Sequence, residues 1–210
     1  MIITKVMMMR NNLVFDSFDD ALKEYAKENK VPIILDEGLS FLINIIKVSK
    51  TKKILEIGSA IGYSAIEIVK NTDSYVDTIE RNLDMYNEAK KNIALANLND
   101  KINIYNVDAL ESFDLFKHKK YDLIFIDAAK AQYKKFFQEF EILLNDNGII
   151  ICDNMNFHNL VNGNLDDMSR SLRGLVRKLS EFEAWLLEND KYLSSIYDIG
   201  DGMSISIKKE

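Results

Sequence analysis

Short apolar runs alternate with longer amphipathic stretches along most of this chain, and that alternation predicts a layered α/β fold. From Lys53 onward the pattern reads strand Ile54 to Ile57, helix Ser64 to Asn71, strand Tyr75 to Ile79, helix Leu83 to Ala96 and strand Ile102 to Asn106. It continues with helix Leu110 to Phe116, strand Leu123 to Ile126, helix Tyr133 to Leu144 and strand Ile149 to Cys152. The runs Leu123-Ile124-Phe125-Ile126 and Ile149-Ile150-Ile151-Cys152 have no polar position, as expected of strands covered on both faces of a parallel sheet. Right-handed crossovers then put helices on both sides. The end of the chain breaks this rhythm. A long helical stretch, Leu165 to Asn189, leads to strands Leu193 to Ile199 and Met203 to Ile207, joined through Gly200-Asp201-Gly202 as an antiparallel hairpin. Five parallel strands and this hairpin make a seven-stranded, mostly parallel sheet. Ahead of it, helical stretches Ser17 to Asn29 and Leu35 to Val48 flank the only proline, Pro32, as an N-terminal helical cover. With no repeat or linker, residues 1–210 read as a single domain: the cover over 1–50 and the sheet over 51–210.

Composition narrows the class. With 210 residues and 47% hydrophobic content the chain can fill one sizeable core, and no apolar run is long enough to span a membrane. A net charge of -6 argues against a uniformly basic nucleic-acid-binding surface while leaving room for a local basic patch. The single cysteine, Cys152, cannot form an internal disulfide, which together with the missing signal-peptide pattern favours a cytoplasmic protein. On a buried strand that thiol reads as a core side chain rather than a nucleophile.

The candidate chemistry lies at strand ends, where ligands bind in parallel sheets. The first strand runs into Glu56-Ile57-Gly58-Ser59-Ala60-Ile61-Gly62-Tyr63-Ser64, whose glycines allow a tight turn and a close backbone approach to a ligand. The second ends at Glu80, placed to accept hydrogen bonds from two ribose hydroxyls. Asp108-Ala109 follows the third and suits an adenine amino group. The E-x-G-x-x-x-G spacing lacks the third glycine of a dinucleotide fingerprint. Glu56 also adds a negative charge that would repel a diphosphate and suits a cationic sulfonium, so S-adenosylmethionine fits better than NAD. The fourth and fifth strands stop at Asp127 and at Asp153-Asn154, three hard oxygen donors that converge as a divalent-cation site if both strands share one sheet. Lys130, one turn after Asp127, could accept a hydroxyl proton, stabilise an anion, or simply form an ion pair with Asp127. Arg170, Arg173 and Arg177 recur at helical spacing with Lys178 beside them, a phosphate-binding stripe or a solvated helix face. His158 and His118 read as loop and surface residues, and Trp185 as core or dimer contact.

These motifs together resemble the metal-dependent O-methyltransferases of the catechol and caffeoyl-CoA type, a Rossmann-like class I methyltransferase family, over essentially the whole chain. Within that group the sequence looks most like the bacterial tRNA 5-hydroxyuridine methyltransferases, through Val31-Pro32-Ile33-Ile34, Ile126 to Tyr133, and Arg170 through Trp185. The resemblance implies Ile34 and Ser64 against the cofactor, Glu80 on its ribose and Asp108-Ala109 near its adenine. It makes Asp127, Asp153 and Asn154 ligands of Mg2+ or another divalent cation such as Mn2+. It implies methylation of 5-hydroxyuridine at the tRNA wobble position in the anticodon loop, by a homodimer. The alternative is a small-molecule catechol or caffeoyl-CoA-like acceptor. A non-catalytic nucleotide-binding module would have no need of Asp127, Lys130, Asp153 and Asn154 together.

Overall fold

The computed structural model describes residues 17–155 and 169–209. Helices α1 (Ser17–Glu28) and α2 (Asp36–Ser49) precede the sheet, as the sequence predicts. The alternating segment follows as β1 (Lys53–Ile57), α3 (Tyr63–Asn71), β2 (Tyr75–Glu80), α4 (Leu83–Leu95), β3 (Ile102–Asn106), α5 (Phe113–Phe116), β4 (Tyr121–Ile126), α6 (Tyr133–Phe140) and β5 (Leu144–Cys152). The chain ends with α7 (Arg170–Leu187), β6 (Tyr192–Tyr197) and β7 (Met203–Lys208). The sheet has seven strands in the order β3-β2-β1-β4-β5-β7-β6, parallel through β5, with β7 antiparallel to both β5 and β6.

Period-2 alternation within the apolar strands explains how one sheet feeds two cores. Ile54, Leu123, Phe125 and Ile151 pack under α1, α2 and α3. Their neighbours Leu55, Ile124, Ile126 and Ile150 pack under α6 and α7, whose buried faces supply Phe136, Phe137, Phe140, Val176, Leu179 and Phe182. Phe137 meets Phe182, Trp185 and Tyr192 edge to face, so Trp185 is half-buried on the second core rather than free on the surface. Cys152 is fully buried, and burial pushes its thiol up to about 12, which leaves it inert as a nucleophile.

Three elements differ most from the sequence expectation. The helix expected over Leu110 to Phe116 is a 3-10 turn, Ala109–Glu111, followed by the short α5, because Asp108 caps the turn by accepting from Leu110 N. α6 ends at Phe140 and tightens into a 3-10 turn, Glu141–Leu143. β5 starts at Leu144 rather than Ile149. Asn145-Asp146-Asn147-Gly148 looks like a turn, yet Leu144 already pairs with Tyr121, and Asn147 takes φ 58 where the register with β4 shifts. The helix expected from Leu165 begins at Arg170 among the described residues; residues 165–168 and His158 lie outside them. Also among the described residues, no helix is long and apolar enough to cross a membrane.

Candidate active site

The order of the strands makes the site. Connections from β1 leave toward β2 on one side, while β4 lies on its other side, so a crevice opens where the order reverses. Ile57 is in register with Ile79 and Ile126, and Ile126 with Cys152. The residues that follow each of these, Glu80, Gly58, Asp127 and Asp153, therefore stand side by side along one edge. Backbone bonds extend the ladder past the strands: Gly58 N to Ile79 O at 3.0 Å, Asp127 N to Ile57 O at 2.9 Å, and Asp153 N to Ile126 O at 3.1 Å.

Gly58, Glu80 and Asp127 of this edge, with Asn154, line a cavity of about 590 Å³, and Asp153 is buried beside it. Gly58, with φ 98, is obligatory there, since a Cβ would sit 2.0 Å from the carbonyl oxygen of Asp127. Glu80 is fixed by two backbone donors, Ala60 N to Oε2 at 2.9 Å and Asn82 N to Oε1 at 2.7 Å, with its remaining lone pairs available to the cavity it lines. Ile34, Ser64, Asp108 and Ala109, which the resemblance sets against a cofactor, line the same cavity. Asp108 divides its carboxylate between the cap of the following turn and Arg81, 3.7 Å away.

Glu56 requires a correction. It is fully buried and does not line the cavity; Ser64 Oγ and Thr78 Oγ1 each donate to it at 2.5 Å. Burial, opposed by those two bonds, pushes its carboxyl up to about 7. It braces the Gly58 loop from behind, and the argument that its charge repels a diphosphate loses its footing.

Asp127, Asp153 and Asn154 are brought together. The Asn154 side-chain amide donates to Asp127 Oδ1 at 3.2 Å, and Asn154 N donates to Asp153 Oδ1 at 2.7 Å. Asn154 takes φ 58, a conformation asparagine tolerates better than most residues. Tyr133 Oη donates to Asp153 O at 2.9 Å, and Met155 N donates to Gly202 O at 2.8 Å, so α6 and the β6–β7 hairpin clamp the loop from both sides. Burial pushes both carboxyls well up. Glu56 adds to this at Asp127, Asp127 adds to it at Asp153, and Asp201 adds at both. Lys130 opposes these effects at each and lines the cavity. Two buried, mutually repelling carboxyls beside an amide form a hard-oxygen set that a divalent cation neutralises, so the residues present fit such an ion.

The sequence reading missed the opposite wall: Asn29 to Ile33, between α1 and α2, and Phe136 and Gln132 on the other flank. The Val31-Pro32 dipeptide, where a helix cannot continue, was the available signal. Arg170, Arg173, Arg177 and Lys178 are all exposed on α7, whose other face packs on the Lys130–Gln132 turn; Arg177 Nε lies 3.6 Å from Glu181. His118 is exposed.

The family model described as O-methyltransferase matches residues 15–209. A Staphylococcus aureus crystal structure with the provisional name caffeoyl-CoA O-methyltransferase superposes with a TM-score of 0.86 at 39% identity, over 92% of this chain and 93% of that one. A caffeoyl-CoA O-methyltransferase of Populus kitakamiensis is 28% identical over 190 residues, covering 87% of this chain and 80% of its own. The O-methyltransferase from Bacillus cereus, solved in complex with SAH, shares the fold with a TM-score of 0.79 at 24% identity, over 93% of this chain and 92% of that one.

Proposed function

Since the chain belongs to the O-methyltransferase family, we propose that it transfers the methyl group of S-adenosylmethionine to an aromatic hydroxyl that has a second oxygen beside it, with a divalent cation at Asp127, Asp153 and Asn154. The observation that carries this reading is the row of strand ends, which puts Glu80 and Gly58 beside two buried carboxyls and an amide. When bound, the cation supplies Lewis acidity that lowers the hydroxyl pKa and offers open positions to two adjacent acceptor oxygens. The protein supplies the rest. Glu80 accepts from the ribose hydroxyls, and the Gly58 backbone lets the cofactor lie close against the sheet. Ile34, Val31 and Phe136 exclude water from the reacting atoms. Lys130 takes the hydroxyl proton or holds the developing oxyanion. The acceptor oxygen then forms its bond to the methyl carbon as the carbon–sulfur bond breaks, and the sulfonium leaves as a neutral thioether.

Relatives named for caffeoyl-CoA support a small phenolic acceptor. A second reading, 5-hydroxyuridine in a tRNA anticodon loop, is favoured by the exposed Arg170, Arg173, Arg177 and Lys178 on the helix behind Lys130. Labelled methyl transfer into a catechol, into caffeoyl-CoA and into tRNA carrying 5-hydroxyuridine separates them. Label in the small phenols alone supports the first acceptor, and salt-sensitive label in tRNA alone supports the second. Label in none of them removes the acceptor class. The homodimer belongs to the same proposal, and a monomer mass by light scattering contradicts it.

A further inference from the structure

Behind the cavity wall, remote from the cation ligands, α1 lies on α3 through charged side chains that methyl transfer does not use. Glu67 of α3 is completely buried, and among the described residues its carboxyl meets no hydrogen-bond donor; it faces the carboxyl of Asp19 on α1. Lys70, one turn further on, is 3.7 Å from Glu67 Oε1 but 2.5 Å from Oδ1 of Asp19, itself fully buried in the first turn of α1. Among the described residues the buried hydroxyl of Tyr63, one turn before Glu67, has no hydrogen-bond partner, and Lys23 of α1 stands 5.9 Å from its ring centroid. Lys23 in turn pairs with Asp36 of α2 at 2.7 Å. Among the described residues, the titratable and charged groups gathered here are Asp19, Asp20 and Lys23 from α1, Asp36 from α2, and Tyr63, Glu67 and Lys70 from α3. Burial, reinforced by Asp19 and opposed by Lys70 and Lys23, pushes the Glu67 carboxyl up to about 8. At neutral pH it is mostly protonated and neutral, the form an unpartnered buried carboxyl tolerates.

The cluster is coupled to the cofactor pocket through the chain itself. α1 runs directly into the wall segment 29–34, registered on the helix end by Val31 N to Ala26 O at 2.9 Å. Tyr63 and Ser64, which open α3, line the same cavity. We propose that Asp19, Glu67 and Lys70 form a latch that holds α1, and with it the 29–34 wall, over the cofactor pocket while Glu67 keeps its proton, and lets the wall open when the proton is lost. In the open state Glu67 meets water and titrates near the ordinary 4.5 of a glutamate. The sign follows: the raised carboxyl favours closure most at low pH, and the preference falls by up to about tenfold per pH unit until pH passes the closed-state value near 8.

The name of the ligand rests on the S-adenosylmethionine reading above, so the test has one arm without ligand. Amide hydrogen exchange over residues 20–34 is followed from pH 6 to pH 9 in the ligand-free protein, corrected for intrinsic rates, for wild type and Glu67→Gln. S-adenosylhomocysteine is titrated in parallel. Protection of the wall is expected to fall by about tenfold or more in wild type and to stay level in Glu67→Gln. Affinity for S-adenosylhomocysteine falls in wild type more than in the variant. Level protection in wild type, or an equal fall in Glu67→Gln, overturns the latch. If Glu67→Gln does not fold, Asp19→Asn serves: by removing a like charge it must shrink the pH-dependent fall, and an unchanged fall counts against the proposal. Failure of S-adenosylhomocysteine to bind at pH 6 with the wall protected removes the cofactor reading and leaves the latch to be decided by exchange.

Discussion

The proposed function assigns Lys130 to chemistry and Glu80 to binding, and each is open to a clean substitution. Lys130 lies in the cavity close enough to both aspartates to favour their charged forms. Lys130→Met should therefore lower kcat by about 100-fold with cofactor affinity nearly unchanged, as expected for a proton acceptor or oxyanion partner. Steady-state kinetics beside calorimetry of cofactor binding checks this, and unchanged kcat removes the role. Glu80→Ala should instead act on binding. Loss of a carboxylate that two backbone donors hold toward the pocket costs about 2–3 kcal/mol, or roughly 30- to 150-fold in cofactor affinity. The convergence of Asp127, Asp153 and Asn154 was legible because Asp127 and Asp153 directly follow neighbouring apolar strands and Asn154 follows Asp153. Glu56 was misjudged because an acid inside an apolar strand gives no sign of its own partners. Ser64 and Thr78, from two other elements, turn it into a buried brace.

At the scale of elements, the turns and crossings that aim the site are the sensitive points. Gly58→Ala would drive a Cβ against the Asp127 carbonyl at 2.0 Å in a backbone conformation with φ 98, which should cost about 3 kcal/mol or more. A urea melt showing less than half of that contradicts the close crossing of β1 and β4. On β2, Asp77 ties three strands by accepting from Asn103 Nδ2 at 2.9 Å, Lys119 Nζ at 2.8 Å and Tyr121 Oη at 2.6 Å. Burial would raise its pKa, but these bonds outweigh burial and hold the carboxyl below the usual range. Its contribution is therefore present above about pH 4 and lost as pH falls through the lowered value. Asp77→Asn should destabilise by about 2–4 kcal/mol at neutral pH, and the gap to wild type should narrow in acid. A gap that stays constant down to about pH 3 contradicts the ionised network. The seven strands and the terminal hairpin were legible from apolar runs and Gly200-Asp201-Gly202. The early start of β5 was not, because Asn145-Asp146-Asn147-Gly148 has turn chemistry and only pairing with Tyr121 makes its beginning a strand.

For the molecule as a whole, the reversal of strand order between β1 and β4 decides where a ligand can sit, and the helical cover decides how it is enclosed. That cover was legible as two helices about Pro32, but its role as the cavity's far wall was not, since it depends on contacts remote in sequence. The same arrangement puts α7 behind the Lys130–Gln132 turn, with the basic stripe on its exposed face. Neutralising Arg170, Arg173 and Arg177 together should weaken a tRNA acceptor by about tenfold or more at low salt and leave a small phenol unaffected, as rates on the two acceptors would show. The central claim is the cation site at the strand ends. The most direct measurement is the rate of methyl transfer from labelled S-adenosylmethionine to a catechol or other accepted hydroxyl, as free Mg2+ is titrated against a chelator, in wild type and in Asp153→Ala. Transfer that disappears with chelation, returns with added cation, and is at least about 100-fold slower in Asp153→Ala is the predicted result. Transfer at full rate in excess chelator, or undiminished in Asp153→Ala, would contradict it.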